Sequence, residues 1–253
     1  MDITILGLEA SQTTESLDRL LRVGYVNGVR FIDSADCYAS SERKIADWLR
    51  IHPELRKTIV LSTKDHPAGP SQLGTMFHRR LAAFEVDSVD LFFIHSLGNR
   101  HSVAEAIAFV TGRELKEAVE AIKKSGKARL VGFSTQHQER ARIIEAAARE
   151  GFVDVMMLQY TAWPRLDDSL NRALDLASRR GIGLIAMKPS AGIDSATFQA
   201  EASRRMPGFK VRGLSPFQGL LHSIWSDERI SCCSLSMRTT DQIRACAEAA
   251  RKF

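Results

Sequence analysis

Four side chains within the first 95 residues form a set able to move a proton: the carboxylate of Asp33, the phenol of Tyr38, the ammonium of Lys64 and the imidazole of His95. A phenol with an ordinary pKa near 10 is a poor proton donor at neutral pH. An ammonium beside it favours phenolate and lowers that pKa, and a buried carboxylate keeps the ammonium charged and in place. Tyr38 is therefore expected to be the acid, tuned by Lys64 and Asp33. His95, hydrogen-bonded to a substrate oxygen, would orient it and stabilise its developing negative charge. Singly, each residue has an ordinary structural use: an Asp at a strand end caps or turns, a Lys carries a solvated head, a His satisfies a local bond, and Tyr38 beside Cys37 packs. Only a fold that gathers all four makes them a site.

The chain pattern supplies such a fold. Short apolar runs alternate with amphipathic helical stretches from end to end. The runs are Ile3 to Leu8, Val29 to Asp33, Ile59 to Lys64, Ser88 to Ile94, Arg129 to Ser134, Val155 to Tyr160, Gly183 to Met187 and Ile230 to Leu235. Helices are expected over Thr14 to Asn27, from the Ser40-Ser41-Glu42 cap through Arg50, and over Ser71 to Phe84, Glu114 to Ser125, Gln138 to Glu150, Ser169 to Arg180, Ser215 to Trp225 and Thr240 to Lys252. Eight units in 253 residues, about 32 each, suit a (β/α)8 TIM barrel, whose usual length is about 250 residues. An open doubly wound sheet would place a Gly-rich phosphate turn after its first strand, and none stands there. Nothing resembles a linker, so residues 1–253 are expected to form one α/β domain. The ends of the second, third and fourth strands then bring Asp33, Lys64 and His95 to one rim. Two long connections, His95 to Arg113 and Pro189 to Leu214, rise from the same face, where barrel active sites form. Val103, Ala106, Ile107, Phe109 and Val110 suggest an apolar helical turn over the mouth, which Trp163, Phe198, Met206 and Phe209 could join, although they could as easily be core; Pro189 to Leu214 reads as irregular.

Composition removes other classes. Hydrophobic residues at 44% and charged residues at 26% support a real core and exclude wholesale disorder. The net charge of +5 and pI near 9.2 come from basic residues spread singly along helices, with no basic stripe interleaved with aromatics, so no nucleic-acid partner is expected. No apolar window reaches the length of a membrane helix, and the start MDITILGLEAS lacks a basic region and a cleavage site, so a cytoplasmic, membrane-free protein is expected. Cys37, Cys232, Cys233 and Cys246 offer no C-x-x-C pair and read as reduced thiols. His66, His95 and His101 show no compact ligand spacing, so no metal is expected.

The segments FIDSADCYASSE (Phe31 to Glu42), LSTK (Leu61 to Lys64) and DLFFIH (Asp90 to His95) resemble the signatures of the aldo-keto reductase superfamily. SGKARLVGFST, LQY and RRGIGLIAMKPSAG continue the resemblance in order, so that it covers nearly the whole chain. GFSTQH, AMKP and LSMRTTDQI are most similar to the bacterial branch that includes iron-sulfur-bearing members; their C-terminal cysteine motif is absent here, and no cluster is expected. The resemblance implies a metal-free barrel that reduces aldehydes or ketones with NADPH or NADH. Its tetrad falls on Asp33, Tyr38, Lys64 and His95. It further implies that Ser134 and Gln159 meet the nicotinamide amide, that Ser190 and Gly192 lie near the diphosphate, and that Met187 stands where many relatives place an aromatic ring.

The sequence also departs from that family. LGLEAS (Leu6 to Ser11) replaces the usual LGLGT and is expected to bring Glu9 near the cofactor, and a barrel without the usual N-terminal hairpin and long C-terminal tail is expected. At the adenosine end Ser236, Met237, Gln242, Ala245 and Cys246 occupy the matching positions, with Arg238 and Arg244 nearby as phosphate partners. A weak preference for NADPH is expected. Two other uses of the barrel stay open on the sequence: a redox-neutral acid-base enzyme (lyase or isomerase), motivated by the altered adenosine end, and a non-catalytic nucleotide-binding regulatory subunit.

Overall fold

The apolar runs become parallel strands because each is covered on both sides, by the barrel interior and by helices. The computed structural model describes residues 2–4, 14–99, 102–163, 167–191, 194–210 and 212–253. Its strands are β1 (Asp2–Thr4), β2 (Phe31–Asp33), β3 (Val60–Asp65), β4 (Val89–Ile94), β5 (Ala128–Thr135), β6 (Val155–Gln159), β7 (Gly183–Met187) and β8 (Ile230–Ser236). They pair in sequence order, and β8 returns to β1 to close the barrel. The expected first strand ran on to Leu8, but residues 5–13, with Glu9, lie outside the described residues.

Around the barrel lie α1 (Thr14–Val26), α2 (Ser41–Ile51), α3 (Leu73–Phe84), α4 (Val103–Thr111), α5 (Arg113–Lys124), α6 (Arg140–Glu150), α7 (Asp168–Arg179), α8 (Ser195–Lys210), α9 (Pro216–Trp225) and α10 (Thr240–Arg251). Two of these correct the sequence reading, which expected eight helices. α4 forms behind a capping box in which Ser102 and Glu105 satisfy each other's backbone N–H groups. It does not cover the mouth: Val103, Ala106 and Val110 are buried in the layer between helices and sheet, and α4 packs on α6. α8 occupies much of the connection read as irregular, with Pro207 inside it. Trp163 takes the core alternative, its ring tilted 5.8 Å from that of Phe198 and its Nε1 donating to Ser223 Oγ at 3.0 Å. The side chains of Met206 and Phe209 lie outside the described residues.

Two apolar layers result. Leu17 and Leu21, Phe77 and Leu81, and Leu170 and Leu174 from the helices pack on Ile32, Leu61, Phe92 and Ile94 from the strands. Inside the barrel Phe31, Leu91, Phe93, Val155, Met157 and Ile185 form a second cluster. Cys232 packs with the inner cluster and Cys233 with the outer one, as adjacent strand positions require. Gly132 of β5 lies opposite Val155, and a Cβ there would stand 1.7 Å from the Val155 carbonyl oxygen. Gly132→Ala is expected to destabilise the fold by about 1–3 kcal/mol through overpacking; an unchanged urea midpoint would show that the β5–β6 contact can yield.

Candidate active site

Strand periodicity builds the site. Side chains two residues apart face the same way, so Asp33 follows Phe31 and His95 follows Phe93 on the inward side, above the interior cluster. Register completes the layer by setting Asp33 beside Ser62 and Lys64 beside Phe93. Backbone bonds join the strand ends: Ser34 N–H donates to Ser62 O at 3.1 Å, Asp36 N–H to Lys64 O at 3.0 Å, His95 N–H to Asp65 O at 2.8 Å and Leu97 N–H to Ser134 O at 2.8 Å. Ala39, Ser96 and Lys188, directly after Tyr38, His95 and Met187, have φ of 48°, 54° and 52°. Left-handed backbone costs an L-residue about 1–2 kcal/mol, and such strain concentrates at functional sites.

Lys64 and Asp33 are fully buried and paired, Lys64 Nζ donating to Asp33 Oδ2 and, at 2.8 Å, to Ser34 O. Ser62 Oγ donates to Asp33 Oδ1 at 2.5 Å. On the opposite face of β3, Thr63 Oγ1 donates to Glu42 at 2.5 Å, and Arg80 holds the other Glu42 oxygen at 2.6 Å, so α2 and α3 clamp the strand that carries Lys64. Tyr38 completes the group: Lys64 Nζ stands 5.1 Å from its ring centroid, and His95 meets the ring edge-on at 5.6 Å.

The structure corrects the expected tuning of the phenol. Burial, then the negative charge of Asp33 and, less, that of Asp36, push the Tyr38 hydroxyl well above its ordinary value. Lys64 does not outweigh these effects, its ammonium being shared with Asp33 and lying over the ring. Tyr38 is thus protonated at neutral pH, the state a proton donor needs. Burial pushes the His95 imidazole down, against the Asp36 carboxylate, which raises it. Burial alone would raise Asp36, but the His95 and His66 rings beside it hold its carboxyl well below the usual carboxylate range.

Asp33 and Tyr38 open on a cavity of about 550 Å³. Of the residues expected to hold a cofactor, Met187, Ser190, Met237 and Gln242 line it. Gly192 lies outside the described residues. Ser134 and Gln159 do not line it: Ser134 Oγ accepts from Ser96 N–H at 2.9 Å, and Gln159 Nε2 donates to Ala191 O at 2.8 Å. Arg238 is exposed and off the wall, and Arg244 pairs with Asp241 at 3.0 Å. Gln242 also has a structural use, because its Oε1 accepts from Arg238 N–H at 2.7 Å and completes the capping box of α10. Sequence reasoning passed over Lys188, the cation of this wall, although it stands in the AMKP segment right after a strand end. Lys188 Nζ donates to Gln136 Oε1.

His95 does not line that cavity. With His66 it borders a separate cleft of about 110 Å³. Donors without compact spacing in sequence meet in space here: Asp36, Cys37, His66 and His95 converge at the rim.

Comparison with known proteins agrees with this architecture. The model of the aldo/keto reductase family matches residues 5–247. The uncharacterized oxidoreductase YcsN of Bacillus subtilis is 26% identical over 201 residues, which are 71% of this chain and 62% of that protein, so the match spans less than two thirds of that relative. An aldo-keto reductase from Klebsiella pneumoniae, solved in complex with NADPH, superposes with a TM-score of 0.77 at 21% identity, over 99% of this chain and 84% of that one. One from Bacillus halodurans, solved in a holo form, superposes with a TM-score of 0.73 at 16% identity, over 99% and 86%.

Proposed function

The chain belongs to the aldo/keto reductase family, and from that premise we propose that it is an oxidoreductase reducing the carbonyl of a small aldehyde or ketone with a nicotinamide nucleotide, NADPH or NADH. The observation that carries the reading is the placement of Tyr38, with the buried Lys64–Asp33 pair behind it, in the wall of a cavity of about 550 Å³. That volume suits a ligand pocket, about 300–1,000 Å³. Met157 and Met187 offer apolar surface to a flat ring, and Lys188 and Ser190 offer the cation and hydroxyl that suit a diphosphate. The NADPH-bound Klebsiella structure supports the same cofactor class.

When bound, the reduced nicotinamide supplies hydride to the carbonyl carbon. Tyr38 holds the proton at its hydroxyl and gives it to the carbonyl oxygen as the C=O electron pair moves there. Lys64 balances the phenolate left behind, while Asp33 and the Ser34 carbonyl fix the ammonium in place. Protonation from solvent then restores Tyr38. His95 borders the neighbouring cleft and meets the Tyr38 ring edge-on, so it acts on the site by positioning the phenol.

The adenosine end bears on which nucleotide binds. The arginines expected to serve a 2′-phosphate, Arg238 and Arg244, do not line the cavity. NADPH and NADH are therefore expected to bind with dissociation constants within about tenfold, equivalent to about 1.4 kcal/mol. A titration followed by quenching of Trp48, Trp163 and Trp225 fluorescence measures both. A far tighter NADPH complex would overturn the expected similarity; binding of neither would sink the reductase reading and favour redox-neutral use of Tyr38, Lys64 and His95.

A further inference from the structure

Three side chains that the proton-transfer scheme does not use, Asp36, Cys37 and His66, converge on His95. One ligand atom from each of the four lies within 4.8 Å of all the others. We infer that these residues form a binding site for one divalent transition-metal ion of the zinc class, at the rim where the segments after β2, β3 and β4 meet.

The donor set selects the ion. One sulfur, two imidazole nitrogens and one carboxylate oxygen suit a borderline-soft cation of tetrahedral preference, whereas magnesium and calcium seek oxygen throughout. Spacing agrees with the chemistry. Zinc bonds of about 2.0–2.3 Å at tetrahedral angles separate neighbouring donors by about 3.3–3.6 Å. His66 Nδ1 lies 3.1 Å from both Asp36 carboxylate oxygens, His95 Nδ1 lies 3.6 Å from Asp36 Oδ1, and Cys37 Sγ lies 3.7 Å from His95 Nδ1. These separations are already near the edges of a coordination tetrahedron.

The scaffold holds the donors there. Asp36 and His95 are each pinned to β3 by a backbone bond, and the His66 and His95 rings lie side by side, with centroids 4.2 Å apart and planes 31° apart. Both rings therefore direct Nδ1 toward the same carboxylate. Entry is open, since Cys37 is exposed and the two histidines border the small cleft. Coordination replaces the Cys37 thiol proton, which leaves to solvent.

The site shares His95 with the reductase reading, so its test does not use turnover. Reduced wild-type protein, free of nucleotide, is titrated with Co²⁺ and followed by absorption. One equivalent is expected to develop the visible bands of tetrahedral cobalt and a near-ultraviolet thiolate-to-cobalt band, and both should bleach when one equivalent of Zn²⁺ is added. Cys37→Ser is expected to lose the thiolate band. His66→Ala is expected to weaken Zn²⁺ binding by about tenfold or more, since even outer-shell partners of a metal cost about 10–100-fold. Wild-type protein that develops no cobalt bands overturns the site whatever the variants do. A thiolate band that survives in Cys37→Ser also overturns it, by placing the ion on Cys232, Cys233 or Cys246. Absence of carbonyl reduction would leave the cobalt result untouched.

Discussion

Tyr38→Phe is expected to lower kcat for carbonyl reduction by about 10²–10⁴-fold, the usual contribution of a positioned general acid, with nucleotide affinity and the unfolding midpoint near their wild-type values. The substitution removes one hydroxyl and keeps the ring, and it is the ring that meets His95 at 5.6 Å and Lys64 Nζ at 5.1 Å. Packing at the rim is thereby preserved while the proton is lost. Steady-state kinetics beside a fluorescence titration separate the two effects. Turnover within a few-fold of wild type would remove Tyr38 from the role of acid and leave the buried pair behind it without a catalytic purpose.

Lys64→Met should have the largest effect on stability. Both members of the Lys64–Asp33 pair are about 1% exposed, and removing the ammonium leaves the Asp33 carboxylate with Ser62 Oγ as its remaining side-chain partner among the described residues. Breaking one side of a buried pair costs about 3–5 kcal/mol, mostly because a charge is stranded away from water. Urea denaturation of Lys64→Met should register that loss. The double variant Asp33→Asn, Lys64→Met strands no charge and is expected to recover most of it. A double variant no more stable than the single one would show that the site tolerates a lone carboxylate and that the pair is not what holds β2 to β3.

Much of this arrangement was legible because strands obey a period of two. Phe31 and Asp33, or Phe93 and His95, could be placed on one side of the barrel from spacing alone, and the repeat fixed the strand order. α8 was not legible for a related reason. Ser195–Lys210 lacks a clean apolar stripe and contains the Pro207-Gly208 pair that ordinarily marks a break. The state of Tyr38 was hidden more deeply. Its neighbours could be named, but whether Lys64 would meet the hydroxyl or the ring face depends on Asp33 claiming the ammonium. The convergence of Asp36, Cys37 and His66 on His95 was likewise invisible, since the four donors belong to three separate connections and only the closed barrel makes them neighbours.

The left-handed backbone at Ala39, Ser96 and Lys188 limits how this chain could be made hardier. Glycine would relieve the steric cost at each position, and a selection for heat resistance alone would find those exchanges attractive. Each, however, directly follows a side chain of the candidate site: Tyr38, His95 and Met187. A looser hinge there would let the phenol, the imidazole and the thioether wander. Robustness in this protein is more safely sought on the outer helices, away from the three corners where the chain turns off the barrel.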